Sequence, residues 1–277
     1  MRRRARSPTP DRLLLTRTLT AAVLIAVFLA ALFWLDRAHF AIAVAVVTGI
    51  GGYEWARLLR LRPDLAAIYG AVCAGLCVSL GLSPSIVPWV CGAGAVFWVA
   101  MVPIFLARGF KPAAIGAGLA VGALVLIPAA LAMSALPPWK LLMVLGLMWI
   151  SDSCAYLTGR AWGRRKLAPS ISPGKTWEGV AGGAIGCVIY AIIWTDFDVD
   201  LQARVQGVFW MPFLAGTLLL CALGVMGDLF ESGLKRQAGV KDSGKLLPGH
   251  GGVLDRIDSA TATLPVAFLL LFAMGAT

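Results

Sequence analysis

The stretch GVFWMPFLAGTLLLCALGVMG, residues 207–227, carries no charged side chain and is followed at once by the polar segment Asp228-Leu229-Phe230-Glu231-Ser232. A helix needs about 20 consecutive apolar residues to cross the hydrocarbon core of a bilayer. The whole chain has this character, since 59% of its 277 residues are hydrophobic and only 14% are charged. Soluble domains average about 25% charged residues, so we exclude a soluble globular enzyme and a disordered chain.

Eight further apolar stretches have comparable length and predict membrane-spanning helices. They cover residues 19–35, 38–55, 66–85, 87–107, 113–133, 139–158, 177–194 and 257–275. The first follows a basic segment, as in a signal peptide, but it is long and lacks a small-x-small cleavage site, so we expect it to be retained. The sequence therefore predicts an all-α, polytopic membrane bundle of about nine transmembrane helices.

The distribution of lysine and arginine predicts the orientation of this bundle. The net charge is +10, and 21 of the 24 Lys and Arg residues fall in the N-terminal tail and the loops after the second, fourth, sixth and eighth spans. The other side holds Arg37, Lys140 and Arg204. Basic loops stay in the cytoplasm, so we expect a cytoplasmic N-terminus. The positive-inside bias, together with binding of anionic lipids or phosphate-containing substrates, also accounts for the positive net charge. We therefore expect no nucleic acid partner.

The predicted spans and loops divide the chain into three segments. We predict a disordered basic cytoplasmic tail over residues 1–12, N-terminal transmembrane helices over 13–140, and catalytic transmembrane helices over 141–277. Most loops are short, but two loops that we place in the cytoplasm, 159–176 and 228–256, are rich in Gly, Lys, Arg and Asp. We expect the chemistry to be concentrated in these two loops.

The longer of the two loops combines carboxylates with cations. Asp228 and Glu231 are three residues apart, as are Asp255 and Asp258, so each pair shares one face of a helix. Basic residues lie between and beside them, namely Lys235, Arg236, Lys241 and Arg256. Carboxylates suit Mg²⁺ and cations suit phosphate oxygens. We interpret the segment as a site of Mg²⁺-dependent phosphoryl or nucleotidyl transfer. The alternative is a solvated loop whose charges anchor the chain at the membrane surface.

Two further residues in the second half of the chain are candidates for the functional site. Asp152 interrupts an otherwise apolar span, and an acid inside a membrane helix predicts a functional site; the alternative is a structural hydrogen bond. His250 lies among glycines between the acids, where it could contact phosphate or transfer a proton. A local role in a turn is the alternative for His250.

The segment Ser172-Pro173-Gly174-Lys175-Thr176-Trp177-Glu178-Gly179 resembles the end of a P-loop, but the upstream glycine and strand are missing, so it is not a Walker A motif. It can still bind an anion at a helix N-terminus. The alternative is simple helix initiation, with Ser172 or Thr176 as the N-cap and Glu178 in the first turn. The helix that follows carries a stripe of glycines, Gly179, Gly182, Gly183 and Gly186, which we interpret as a packing surface.

Residues 232–258 closely resemble the signature of the phosphatidate cytidylyltransferase (CDP-diacylglycerol synthase) family, from Ser232-Gly233-Leu234-Lys235-Arg236 through Lys241-Asp242 to Leu247-Pro248-Gly249-His250-Gly251-Gly252-Val253-Leu254-Asp255-Arg256-Ile257-Asp258. Residues 152–159 and 172–179 resemble the family too. The resemblance implies a dimeric, nine-helix enzyme of the bacterial inner membrane whose active site faces the cytoplasm. It also implies the reaction of CTP with phosphatidate to give CDP-diacylglycerol and diphosphate, with Asp228 and Asp255 as ligands of Mg²⁺ and with K⁺ as a second ion.

The resemblance also implies roles for individual side chains. An oxygen of the phosphatidate phosphate would attack the α-phosphorus of CTP, and diphosphate would leave in line. We expect Lys235, Arg236, Lys241 and Arg256 to neutralise phosphate charge. We expect substrate contacts from Ser172, Lys175, Thr176, Asp152, His250 and Asp258. Two alternatives remain: a membrane transferase that uses another lipid phosphate, and an ion-coupled transporter, which the lack of an internal repeat disfavours.

Overall fold

The computed structural model describes residues 10–109, 114–247, 249 and 251–276, which form eleven α-helices and one short hairpin. The helices are α1 (Pro10–Trp34), α2 (Arg37–Leu58), α3 (Pro63–Gly81), α4 (Val87–Val96), α5 (Val102–Arg108), α6 (Ile115–Ala135), α7 (Pro138–Trp162), α8 (Trp177–Phe197), α9 (Val199–Arg204), α10 (Trp210–Ala238) and α11 (Leu254–Ala273). The hairpin strands are β1 (Lys166–Ala168) and β2 (Ser172–Thr176). Residues 1–9 of the predicted tail lie outside the described residues, and α1 begins at Pro10.

The all-α, polytopic architecture is confirmed. Seven helical segments of the described chain are long and apolar enough to cross a membrane, and each predicted apolar stretch overlaps a helical segment over most of its described length. One segment, Pro84–Arg108, is composite, since a 3₁₀ turn (Pro84–Ile86) precedes α4 and a π-helical turn (Phe97–Met101) joins α4 to α5. Helix α2 carries Arg37, Glu54 and Arg57 and is not among the seven. The count of nine crossings stays a prediction.

The glycine stripe of α8 is a packing surface, as predicted. Helix α8 lies along α7, and a Cβ atom at Gly179 would approach the backbone oxygen of Ala155 to 2.9 Å. A Cβ atom at Gly183 would lie 3.0 Å from the backbone oxygen of Ser151. Real Cβ atoms essentially never approach as closely as at Gly179 and rarely as closely as at Gly183, so glycine at these positions allows the two helices this separation. The packing fixes α8 against the helix that carries Asp152.

Helix α11 lies in the core of the bundle. It packs on α10, α6 and α4, so it contacts helices from both the N-terminal and the C-terminal part of the chain. Its buried threonines satisfy their hydroxyls locally, and Thr263 Oγ1 donates to the backbone oxygen of Ser259 over 2.9 Å. The N-terminus of this central helix carries Asp255 and Asp258, so the core helix places both acids at one end of the bundle.

The opposite end of the bundle holds the three cations that the charge bias places outside the cytoplasm. Lys140 Nζ lies 2.6 Å from Asp198 Oδ2, Arg204 Nε lies 2.9 Å from Asp200 Oδ1, and Arg37 donates to the backbone oxygen of Ala135 over 2.6 Å. Burial raises the pKa of Asp198, but the hydrogen bonds from Lys140 and from the backbone N–H of Leu201 outweigh it, so the pKa lies below its ordinary value. These three cations therefore lie at the end of the bundle away from Asp255 and Asp258.

Candidate active site

The C-terminal part of α10 builds one wall of the site. The apolar stretch ends at Gly227, but the helix continues to Ala238 and ends at Gly239, whose φ of 76° is a left-handed conformation that favours glycine. The polar side chains of this extension bond along the helix axis, since Ser232 Oγ donates to Asp228 Oδ1 over 3.1 Å and Lys235 Nζ to Glu231 Oε2 over 3.0 Å. The predicted loop 228–256 thus begins as helix, and only residues 239–253 connect α10 to α11.

Lys235 joins α10 to α11. Its ammonium group lies 3.0 Å from Glu231 Oε2 and 2.6 Å from Asp255 Oδ1. The side chains of all three residues are at least nine-tenths buried. Removing charges from water is costly unless they are paired and hydrogen-bonded, so this triad fixes the position of Asp255 relative to α10.

Asp255 closes the connecting loop. Its Oδ2 atom accepts hydrogen bonds from the backbone N–H of Ser243 (2.9 Å), from Ser243 Oγ (3.0 Å) and from the backbone N–H of Gly252 (2.8 Å). The other oxygen, Oδ1, accepts a single hydrogen bond among the described residues, from Lys235. Asp255 therefore organises residues 243–252 around itself.

The hairpin brings a second lysine to the carboxylates. Lys175, on β2, places its Nζ atom 2.7 Å from Asp228 Oδ2. Asp152, on α7, interacts electrostatically with both Lys175 and Asp228, and the largely buried Asp258 interacts with Asp228. Elements far apart in the sequence, α7, β2, α10 and α11, therefore converge on one group of charges.

Ser172 and Thr176 lie in strand β2, where Ser172 pairs with Ala168 and Thr176 with Lys166. Thr176 is buried, and its Oγ1 atom accepts the backbone N–H of Gly179 over 3.1 Å as the N-cap of α8. Glu178 Oε2 accepts the backbone N–H of Arg164 over 3.1 Å. The helix-initiation interpretation of this segment is thus confirmed, and substrate binding by Ser172 and Thr176 stays a prediction.

The remaining predicted cations do not join the buried group. Arg236, Lys241 and Arg256 are exposed, and within the described residues none of them forms an ion pair. Arg236 donates to the backbone oxygen of Val240 over 3.4 Å. Exposed cations at the rim of an anionic cluster remain available to phosphate groups. His250 lies outside the described residues, so its predicted role stays open.

Sequence reasoning missed Glu54. This residue of α2 is 4% exposed, and its carboxylate accepts hydrogen bonds from Ser243 Oγ (2.9 Å) and from the backbone N–H groups of Val253 (3.1 Å) and Leu254 (2.9 Å). A signal was present, because a carboxylate in an apolar stretch is costly unless it has partners. The identity of those partners, almost 200 residues later, could not be read from the sequence.

The donor set fits a hard divalent cation. Glu231 Oε1 is buried without a hydrogen-bond partner among the described residues, and Asp228 and Asp258 lie within electrostatic range of each other. Within that part of the chain no three His, Cys, Asp or Glu side chains are grouped as ligands of one ion. Mg²⁺ commonly takes only one or two carboxylates together with substrate phosphates, so the arrangement suits a cation that binds with its substrate.

A helical membrane bundle with carboxylates and lysines gathered at one end defines a class of protein suited to the transfer of phosphate-containing groups. Residues 15–274 match the model of the cytidylyltransferase family, so the chain belongs to that family. It is 38% identical to the phosphatidate cytidylyltransferase of Pseudomonas aeruginosa over 271 residues, which cover 94% of this chain and 97% of the relative. The family predicted from the resemblance is thus confirmed.

Other relatives carry the same name. The phosphatidate cytidylyltransferase of Haemophilus influenzae is 36% identical over 278 residues, covering 90% of this chain and 95% of the relative. The phosphatidate cytidylyltransferase of Thermotoga maritima is 45% identical over 129 residues, covering 47% of each chain. Similarity to the first two relatives therefore extends through the N-terminal helices as well as the polar segments.

Proposed function

We propose that the chain is a phosphatidate cytidylyltransferase, which converts CTP and phosphatidate into CDP-diacylglycerol and diphosphate. The observation that carries this proposal is the convergence of Asp152, Lys175, Asp228, Lys235 and Asp255 at one end of an apolar helical bundle. One substrate is a lipid and the other is a polar nucleotide. A charged site at the end of a membrane bundle is accessible to the lipid from the bilayer and to the nucleotide from the aqueous phase. The names of relatives that match over almost the whole chain support the same reaction.

The chain's residues act chiefly by orientation and charge neutralisation. The phosphate of phosphatidate is already ionised at neutral pH, so its oxygen can attack the α-phosphorus of CTP without a strong general base. The buried Lys235 and the partly buried Lys175 supply positive charge on two sides of the cluster. Arg236, Lys241 and Arg256 supply exposed positive charge at its rim. Cations held in place before the reaction stabilise the charge that develops on the leaving diphosphate.

Asp228 and Asp255 are the residues we propose for Mg²⁺. The two carboxylates would hold the ion, and the positive charge it supplies would offset the charge of the substrate phosphates. Three carboxylates of the cluster lie within ion-pair distance of its two lysines, Lys175 and Lys235, and oxygen ligands in excess of lysines support a site for a hard cation. We propose K⁺ as the second ion. The residues that we propose as substrate contacts are Ser172, Thr176, Asp152, His250 and Asp258.

The chain is a multi-pass membrane protein, and its named relatives are bacterial. We propose that it resides in the inner membrane as a homodimer, with the site end facing the cytoplasm. The distribution of basic residues supports this orientation, because the three cations predicted to lie outside are grouped at the opposite end. The acyl chains of phosphatidate would remain in the bilayer while its headgroup enters the site.

The reaction is tested with the purified full-length chain in lipid nanodiscs. CTP labelled at the α-phosphorus should transfer its label to phosphatidate, and CTP labelled at the γ-phosphorus should release the label as diphosphate. Transfer of the γ-label to the lipid would instead indicate a kinase-like enzyme, and label transfer to a polyprenyl phosphate but not to phosphatidate would indicate a different lipid substrate. Either outcome would contradict the proposal.

A further inference from the structure

We propose that Glu54 is a positioning residue of the active site, which holds the N-terminus of α11 and Ser243 in place and thereby fixes Asp255. This inference rests on the proposed function for its kinetic consequences. Its structural basis is independent of the substrate, because every contact involved lies within the chain.

Helix α11 lacks a capping side chain of its own. Its N-cap residue is Val253, which makes no side-chain cap. The first N–H groups of a helix have no partner within the helix, and they carry the positive end of its dipole. Glu54 supplies the missing acceptor, since Oε1 accepts the N–H of Val253 over 3.1 Å and Oε2 the N–H of Leu254 over 2.9 Å. A side chain of α2 therefore caps a helix that begins 200 residues later.

The surrounding loop is built around this carboxylate. A Cβ atom at Gly244 would collide with Glu54 Oε1, and a Cβ atom at Gly252 would collide with both carboxylate oxygens of Glu54. Neither glycine has a left-handed φ, so their small size, rather than their backbone freedom, explains them. Glu54 is 4% exposed and forms no ion pair within the described residues. An uncharged set of donors around a buried anion indicates a site shaped for that anion.

Ser243 connects Glu54 to Asp255. Its Oγ atom lies 2.9 Å from Glu54 Oε2 and 3.0 Å from Asp255 Oδ2. A serine hydroxyl has one hydrogen to donate, so the two carboxylates share it. The N–H groups of Ser243 and Gly252 add two further bonds to Asp255. Loss of the Glu54 acceptor would release both Ser243 and the start of α11, and Asp255 depends on both for its position.

Kinetics of single and double variants test this role. Glu54→Gln replaces one carboxylate oxygen by an amide NH₂, which cannot accept a hydrogen bond. We expect kcat to fall about 10- to 100-fold, because a displacement of about 1 Å can cost 10²-fold, while KM for CTP changes less than about twofold. Glu54→Gln and Ser243→Ala both disturb the hydrogen bonds that link Glu54 through Ser243 to Asp255. The double variant should therefore lose no more kcat than the more damaging single variant.

Thr48→Ala is the matched control. Thr48 is a buried polar residue on the same helix, and its hydroxyl donates to the backbone oxygen of Val44 over 2.8 Å without reaching the loop. We expect it to keep kcat within about twofold of the wild-type value. A Glu54→Gln enzyme with kcat within that range would overturn the proposal, and so would losses that multiply in the double variant.

Amide hydrogen exchange on the full-length protein provides a readout that needs no turnover. The N–H groups of Val253 and Leu254 should exchange faster in Glu54→Gln than in the wild-type protein, and at the wild-type rate in Thr48→Ala. Unchanged protection in Glu54→Gln would overturn the proposal even if activity fell. If the wild-type chain did not convert phosphatidate, the proposed function would fail, whereas the exchange experiment would still decide the role of Glu54.

Discussion

Replacing Lys235 by methionine removes the cation that pairs with two buried acids. The Lys235 side chain is 10% exposed, and those of Glu231 and Asp255 are 6% and 5% exposed. Methionine keeps a flexible side chain of similar length but carries no charge. Breaking a buried ion pair by removing one partner costs about 3–5 kcal/mol, so we expect a loss of that order in the free energy of unfolding.

The structure also predicts which acid causes most of this loss. Asp255 keeps three hydrogen-bond donors without Lys235, from Ser243 and Gly252. Glu231 keeps none among the described residues, because its Oε1 atom has no partner and Lys235 is the donor to Oε2. Adding Glu231→Gln to Lys235→Met should therefore recover most of the stability, since the neutral amide does not need a cationic partner.

Denaturant unfolding of the purified variants in detergent measures these differences. Lys166→Met is the matched control, because Lys166 is exposed on the hairpin at the same end of the molecule and should change stability by less than about 0.5 kcal/mol. A free energy of unfolding for Lys235→Met within about 1 kcal/mol of the wild-type value would refute the role of this ion pair, and so would a double variant no more stable than the single one.

Two further predictions concern the hairpin and the opposite end of the bundle. Lys175→Ala removes the ammonium group 2.7 Å from Asp228 and should raise KM for CTP or for phosphatidate about tenfold without changing the Mg²⁺ dependence, since a charged hydrogen bond contributes about 1.5–3 kcal/mol; unchanged KM values for both substrates would exclude a role in anion binding. Asp198→Asn should lower the free energy of unfolding at neutral pH by about 1.5–3 kcal/mol. Because the pKa of Asp198 is lowered in the folded chain, its stabilisation is present above the unfolded pKa of about 3.9 and is lost as the pH falls through the lower folded value. Denaturation curves from pH 7 down to pH 3 should show this loss in the wild-type chain and a weaker acid dependence in Asp198→Asn; equal acid dependence would contradict the assignment.

Local spacing predicted the parts of the site that lie on one element. The three-residue interval between Asp228 and Glu231 placed both acids on one helical face, and the order of Thr176 and Glu178 predicted a helix start. These inferences succeed because helical periodicity and capping depend on neighbours within about four residues.

Features that depend on distant contacts could not be predicted. The hairpin pairs only short strands, so it leaves no alternating apolar pattern. Lys235, near the end of α10, contacts Asp255, which lies 20 residues further along the chain. The role of Glu54 depends on Ser243, 189 residues away. Tertiary contacts of this range are set by how the helices pack, and a single sequence does not reveal that packing.

Turnover of Asp255→Asn measures most directly whether the carboxylates at the ends of α10 and α11 make nucleotidyl transfer possible. We expect no detectable CDP-diacylglycerol at any Mg²⁺ concentration, although the variant inserts and folds, because the charge required for the cation is lost. Asp64→Asn, a change at an exposed acid on α3, should retain normal turnover. Near-normal synthesis of CDP-diacylglycerol by Asp255→Asn, with the same Mg²⁺ dependence as the wild-type chain, would contradict the account.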